Sequence, residues 1–142
     1  MLGKLHFYST PNIIFQYANN NKYSKCWYVA PTYRMAKQIM WGDIKDLILN
    51  SGRSGSLPNE TDMSITLKNG SLIALRGADN PDSLRGVGLD FLVMDEVQDI
   101  SQQTWEAVLA PALADKNGKA LLCGTPKGYN WFYDLWVNAH ED

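Results

Sequence analysis

Phe91-Leu92-Val93-Met94-Asp95-Glu96 is an apolar run closed by two adjacent carboxylates. Its apolar part does not alternate with polar residues, which suits a parallel strand buried on both faces. Ala120-Leu121-Leu122-Cys123 is a second such run and ends in Gly124-Thr125-Pro126-Lys127-Gly128. Upstream, Cys26-Trp27-Tyr28-Val29-Ala30 is also apolar and stops at Pro31, as a buried strand stopped by a turn would. Stretches with helical spacing separate these runs. The expectation is an α/β fold with a mostly parallel sheet.

The remaining segments fit that plan. Ser64 to Leu67 and Ser71 to Leu75 alternate polar with apolar around Asn69-Gly70, a pair that supplies the positive φ angles of a tight β-hairpin. Thr32 is placed to cap a helix carrying Ala36, Met40, Ile44, Leu47 and Ile48 on one side. Asp99, with Gln102 three positions on, reads as a capping box opening a helix that contains Trp105, Val108, Leu109, Ala112 and Leu113. Pro111 is expected to kink or divide that helix. Thr10-Pro11 reads as the cap and first residue of a short N-terminal helix, and a last helix begins near Tyr129. Residues 50–63, rich in Gly, Ser and Asn, read as a loop.

Bulk properties set the bounds. With 142 residues, 45% of them apolar and 20% charged, the chain is long enough for one domain with its own core. No apolar run approaches the roughly 20 residues of a membrane helix. The two cysteines, Cys26 and Cys123, both sit in strand-like apolar runs and read as small buried hydrophobes; cytosol is the expected compartment. A net charge of −2 without a basic block gives no autonomous nucleic-acid grip. The aromatic residues, five Trp and seven Tyr among them, fall mostly in strands and on helix faces, so they read as core rather than as stacking platforms.

An apolar strand ending in Asp-Glu has the form of a Walker B motif. Such a strand delivers Asp95 rigidly to its carboxyl end, where ligands bind in open α/β sheets. Asp95 can there hold Mg²⁺ beside a triphosphate, and Glu96 can orient and polarise an attacking water. Acids at a helix N-terminus are the plainer alternative. Thr125, at the end of the neighbouring run, is placed to sense a γ-phosphate, although a simple Gly-Pro turn accounts for the same glycines and proline. Arg85, in a Gly-flanked loop before Asp95, can approach a nucleotide or a neighbouring subunit, or be a solvated loop charge. Arg76 reads as a surface charge ending the hairpin.

The chain resembles the large subunit of tailed-phage terminases, in its ATPase domain. The resemblance is carried by Ala30-Pro31-Thr32-Tyr33 with Ala36-Lys37 and Trp41, by Leu75-Arg76-Gly77-Ala78-Asp79-Asn80-Pro81-Asp82-Ser83-Leu84-Arg85-Gly86, by Asp95-Glu96, by Pro111-Ala112-Leu113-Ala114-Asp115, and by Gly124-Thr125-Pro126-Lys127-Gly128-Tyr129-Asn130. These run in order from about residue 26 to about residue 136. The resemblance implies a P-loop NTPase-like fold, ATP and Mg²⁺ as cofactors, and a part in an ATP-driven motor that packages viral DNA. It implies double-stranded DNA, a portal protein, a small terminase subunit and a ring of identical subunits as partners, with no membrane, in the cytoplasm of a bacterial host. It maps Asp95 and Glu96 onto the Walker B pair, as metal ligand and catalytic residue, and Thr125 onto the coupling motif.

One element of that pattern is missing. A phosphate-binding loop needs Gly-rich backbone, a Lys and a Ser/Thr, and no such run occurs. Gly3-Lys4-Leu5 is its only trace, with Gly3 and Lys4 as candidate phosphate contacts and Leu5 where the Mg²⁺-binding hydroxyl would stand. The expectation is one partial ATPase domain over residues 1–142, truncated at both ends, without the first (Walker A) strand and without the nuclease domain: an incomplete or decayed form of the family. Two other readings stay open, a non-catalytic docking module of the packaging machinery and a helicase-like nucleic-acid ATPase.

Overall fold

The computed structural model describes residues 2–125 and 131–141. Helix α1 (Leu2–Asn20) leads by a short turn into β1 (Lys25–Ala30). A long helical stretch follows, α2 (Tyr33–Ala36), a π-helical turn (Lys37–Trp41) and α3 (Gly42–Ser51). Next come β2 (Ser64–Thr66), β3 (Leu72–Gly77), a 3₁₀ turn (Pro81–Leu84) and β4 (Phe91–Met94). The chain continues through a 3₁₀ turn (Val97–Asp99), α4 (Gln102–Thr104), a second π-helical turn (Trp105–Leu109), α5 (Ala110–Asp115), β5 (Lys119–Leu122) and α6 (Trp131–Glu141).

The five strands form one sheet in the order β2-β3-β1-β4-β5, parallel except for β2. Because side chains alternate across a strand, the central strands feed two cores. Tyr28, Leu75, Phe91 and Val93 face α1, α2 and α3, packing with Ile14, Phe15, Ala18, Met40, Trp41, Ile44 and Ile48. Trp27, Val29, Leu92 and Met94 face the other side, where Val108, Leu109, Leu113 and Phe132 cover them. This is the expected α/β architecture, and the apolar strands are buried on both faces.

The two sheet edges differ. Beyond β2, the loop of residues 53–59 adds backbone bonds of its own: Gly55 N–H donates to Thr66 O, and Asn59 and Ser64 exchange a pair. At the other side β5 is outermost among the described residues, with Ala120 exposed and Leu121 and Leu122 only half-buried.

Several local expectations are corrected. Helix α1 runs unbroken through Pro11. Burial of Ile14, Phe15 and Ala18 outweighs a proline penalty of about 3 kcal/mol. The hairpin forms, but its connection is wider than a two-residue turn: Leu67 N–H donates to Ser71 O, and only Gly70 takes positive φ there. Asn69 instead donates its side-chain amide to the carbonyls of Ala18 and Asn19 at the end of α1. The cap of α4 is Ser101, which accepts from Thr104 N–H, while Asp99 ends the preceding 3₁₀ turn. Pro111 falls, as expected, where the helical stretch changes character: the widened π turn precedes it and leaves it in the first turn of α5. Arg76 is no free surface charge: it pairs with Asp62 at 3.2 Å and lies over the Trp27 ring at 5.3 Å. Thr32 caps α2 as expected, accepting from Met35 N–H at 3.0 Å. Cys26 and Cys123 are buried free thiols, each pushed up to about 11 mainly by burial.

Candidate functional site

Asp95 follows directly on β4 at its carboxyl end, anchored through its backbone N–H to Val29 O at 2.9 Å. The strand alternation that puts Phe91 and Val93 on the α1 side carries the Asp95 side chain to that side too. There it is 2% exposed, and its Oδ2 accepts a 2.6 Å hydrogen bond from the hydroxyl of Tyr28. Tyr28 is fully buried on neighbouring β1; burial first, then the carboxylate opposite, raises its phenol far above the ordinary range, so it stays a donor. Oδ1 accepts from Glu96 N–H at 2.9 Å. A carboxylate oxygen carries two lone pairs, so each can in principle accept more than one bond.

Glu96 breaks the strand. Its φ of 51° and ψ of 47° are left-handed, a conformation costing a non-glycine residue about 1 to 3 kcal/mol. The turn redirects the chain so that Asp95 and Glu96 do not follow strand alternation together. The Glu96 carboxylate accepts from Gln98 Nε2 at 2.6 Å, and Gln98 Oε1 accepts from Thr125 N–H at 3.1 Å. Thr125 is thereby brought beside the Asp95-Glu96 pair, with Val97 N–H to Cys123 O at 3.1 Å and Cys123 N–H to Met94 O at 2.8 Å fixing the two strand ends together. Pro126, Lys127 and Gly128 lie outside the described residues.

Gly3 and Lys4 lie in the first turns of α1. The Tyr17 ring stacks on Phe91, at the start of β4, with centroids 4.5 Å apart. Helix α1 therefore runs against the parallel strands, and its N-terminus points toward the end of the sheet that bears Asp95. Arg85 is elsewhere: its guanidinium pairs with Asp82 at 3.2 Å, its side chain is 54% exposed, and it lines a cleft with Gly86, Val108, Pro111 and Asp115. That cleft includes neither Asp95 nor Glu96.

Asp95 offers one buried carboxylate as a candidate metal ligand. Among the described residues no three His, Cys, Asp or Glu side chains cluster to hold an ion, whereas Mg²⁺ takes one or two carboxylates and completes its shell with water and phosphate. Tyr28 and Gln98 were not singled out from the sequence. Tyr28 reads as one more apolar strand residue, and only its register beside β4 reveals its partner; Gln98 follows Asp95-Glu96 in the sequence but carries no motif of its own. Among the described residues, no helix is long and apolar enough to cross a membrane.

Residues 16–142 match the family model described as phage terminase large subunit. The chain is 37% identical over 116 residues to the large terminase subunit of Escherichia phage T5, an alignment spanning 80% of this chain and 26% of that protein. It is 31% identical over 132 residues to the large terminase subunit of Thermus phage G20c, covering 80% of this chain and 27% of that protein. The chain thus spans about a quarter of the length of these curated relatives. Among solved structures, the large terminase ATPase domain of Thermus phage P74-26 superposes with a TM-score of 0.74 at 28% identity, over 88% of this chain and 56% of that one. A large terminase from another thermophilic bacteriophage, solved in complex with ATP-γ-S, shares the fold, with a TM-score of 0.71 at 15% identity over 92% of this chain and 32% of that one.

Proposed function

Because the chain belongs to the phage terminase large-subunit family, we propose that it is part of an ATP-driven motor packaging double-stranded viral DNA, with its nucleotide site at the carboxyl end of β4. The observation that carries this reading is Asp95: a buried carboxylate at the end of a parallel strand, held by Tyr28 and by its own turn. In this reading Asp95 is the ligand for Mg²⁺, which when bound neutralises phosphate charge. Glu96 orients the attacking water and takes its proton. Thr125 faces the γ-phosphate, and Gly3 and Lys4 meet the phosphates from the first turns of α1, with ATP as the nucleotide. Arg85, exposed and away from Asp95, is suited to reach the nucleotide of a neighbouring subunit in a ring. Portal protein and small terminase subunit are the proposed partners, and the bacterial host cytoplasm the proposed compartment.

Calorimetry with ATP and Mg²⁺ tests the site. The chain is expected to bind nucleotide in a Mg²⁺-dependent manner, and Asp95→Ala to weaken that binding by about tenfold or more, as loss of a charged metal contact implies. Equal binding by both proteins would remove Asp95 from the site. Binding by neither would mean that this chain has the motor's fold without its nucleotide chemistry.

A further inference from the structure

Gln98 sits in the 3₁₀ turn just after Glu96 and makes two short oriented bonds, with a longer one from Nε2 to Asp99 Oδ2 at 3.5 Å. Its Nε2 donates to Glu96 Oε2 at 2.6 Å, and its Oε1 accepts from the backbone N–H of Thr125 at 3.1 Å. The orientation of the amide has one solution, because an ionised carboxylate only accepts and a backbone N–H only donates. The two partners come from different strand ends, Glu96 after β4 and Thr125 after β5. The space for the amide depends on Gly124, where any Cβ would collide with Gln98 Oε1 and come within 3.0 Å of Val97 N.

We propose that Gln98 is a positioning residue that ties the Glu96 carboxylate to the turn after β5, so that the pose of this carboxylate and the conformation at Thr125 change together. The bond to Gln98 takes up Oε2, and in the nucleotide-site reading it leaves Oε1 as the oxygen that serves a reacting water. A shift of the Thr125 backbone toward a phosphate breaks one end of the amide bridge and releases the other. The catalytic consequence rests on the nucleotide-site reading above; the link between the two turns is a property of the chain alone.

Amide hydrogen exchange followed by NMR, on the full chain without nucleotide, tests the link. Gln98→Met keeps the length and removes all the amide's bonds, the long one to Asp99 included; exchange at Thr125 N–H is expected to rise about fivefold, the loss of one ordinary hydrogen bond. Glu96→Ala is expected to raise it as well, although the path from Glu96 to Thr125 runs through Gln98. The double variant should add nothing to Gln98→Met alone. The backbone N–H groups of Asp95 and Cys123, bonded to Val29 O and Met94 O, report that the sheet is intact and should exchange as before. Unchanged protection at Thr125 in Glu96→Ala, or additive effects in the double variant, would overturn the proposal. Failure to bind nucleotide would count against the nucleotide-site reading and leave this result standing.

Discussion

Replacing Tyr28 by phenylalanine is expected to destabilise the fold by about 1 to 3 kcal/mol, the cost of withdrawing a hydrogen bond from a buried charged group. The ring itself keeps its place, since Tyr28 is fully buried between Leu75 and Val93 of the adjoining strands. What is lost is the 2.6 Å bond to Asp95 Oδ2, at a carboxylate with little water to replace it. Tyr28→Ala adds the loss of the ring, and about 3 to 5 kcal/mol is expected in total from large-to-small substitution of a core aromatic. Urea titration measures both. A double-mutant cycle with Asp95→Asn separates the bond from the packing: the Tyr28→Phe cost should shrink when the charge is absent. A Tyr28→Phe variant within about 0.5 kcal/mol of the parent, the range of ordinary surface changes, would show that Asp95 does not depend on it.

Gly77→Ala is expected to cost about 3 kcal/mol, at the upper end for overpacking. Gly77 closes β3 opposite Ala30, and a Cβ there would run into Tyr33 N and Asp79 Oδ1 and come within 2.6 Å of Thr32 C. Those atoms are the start of α2: Asp79 Oδ1 accepts from Tyr33 N–H at 3.1 Å beside the Thr32 cap. The methyl group cannot be accommodated without moving backbone or losing a cap. Gly86 provides the contrast, with φ of 76° and nothing within 4 Å of an added Cβ. Gly86→Ala meets conformational strain only, about 1 to 2 kcal/mol. Thermal unfolding of the two variants side by side should therefore rank Gly77→Ala below Gly86→Ala. The reverse order would mean that α2 yields easily at its N-terminus.

The fold was legible where burial alone decides the pattern. Phe91–Met94 and Cys26–Ala30 are apolar throughout because the sheet is covered on both faces, and no short-range signal competes with that one. The Thr32 cap was legible for a similar reason, since its bond closes within three residues. Asp99 misled because Asp99 and Ser101 stand two residues apart, and the cap falls to whichever side chain the entering backbone presents; that is Ser101. Arg76 misled because its partners, Asp62 and Trp27, are distant in sequence. The site divides along the same line. Asp95 and Glu96 announce themselves as neighbours, whereas Tyr28 and Gln98 gain their meaning from strand register and from the meeting of two strand ends.

The unlike edges of the sheet also differ in what an incoming strand would meet. On the β2 side the loop of residues 53–59 already engages Ser64 and Thr66 of the edge strand, through Asn59 and Gly55. The loop thus stands where another chain would have to pair, and the edge strand is guarded by its own connection rather than by charge or proline.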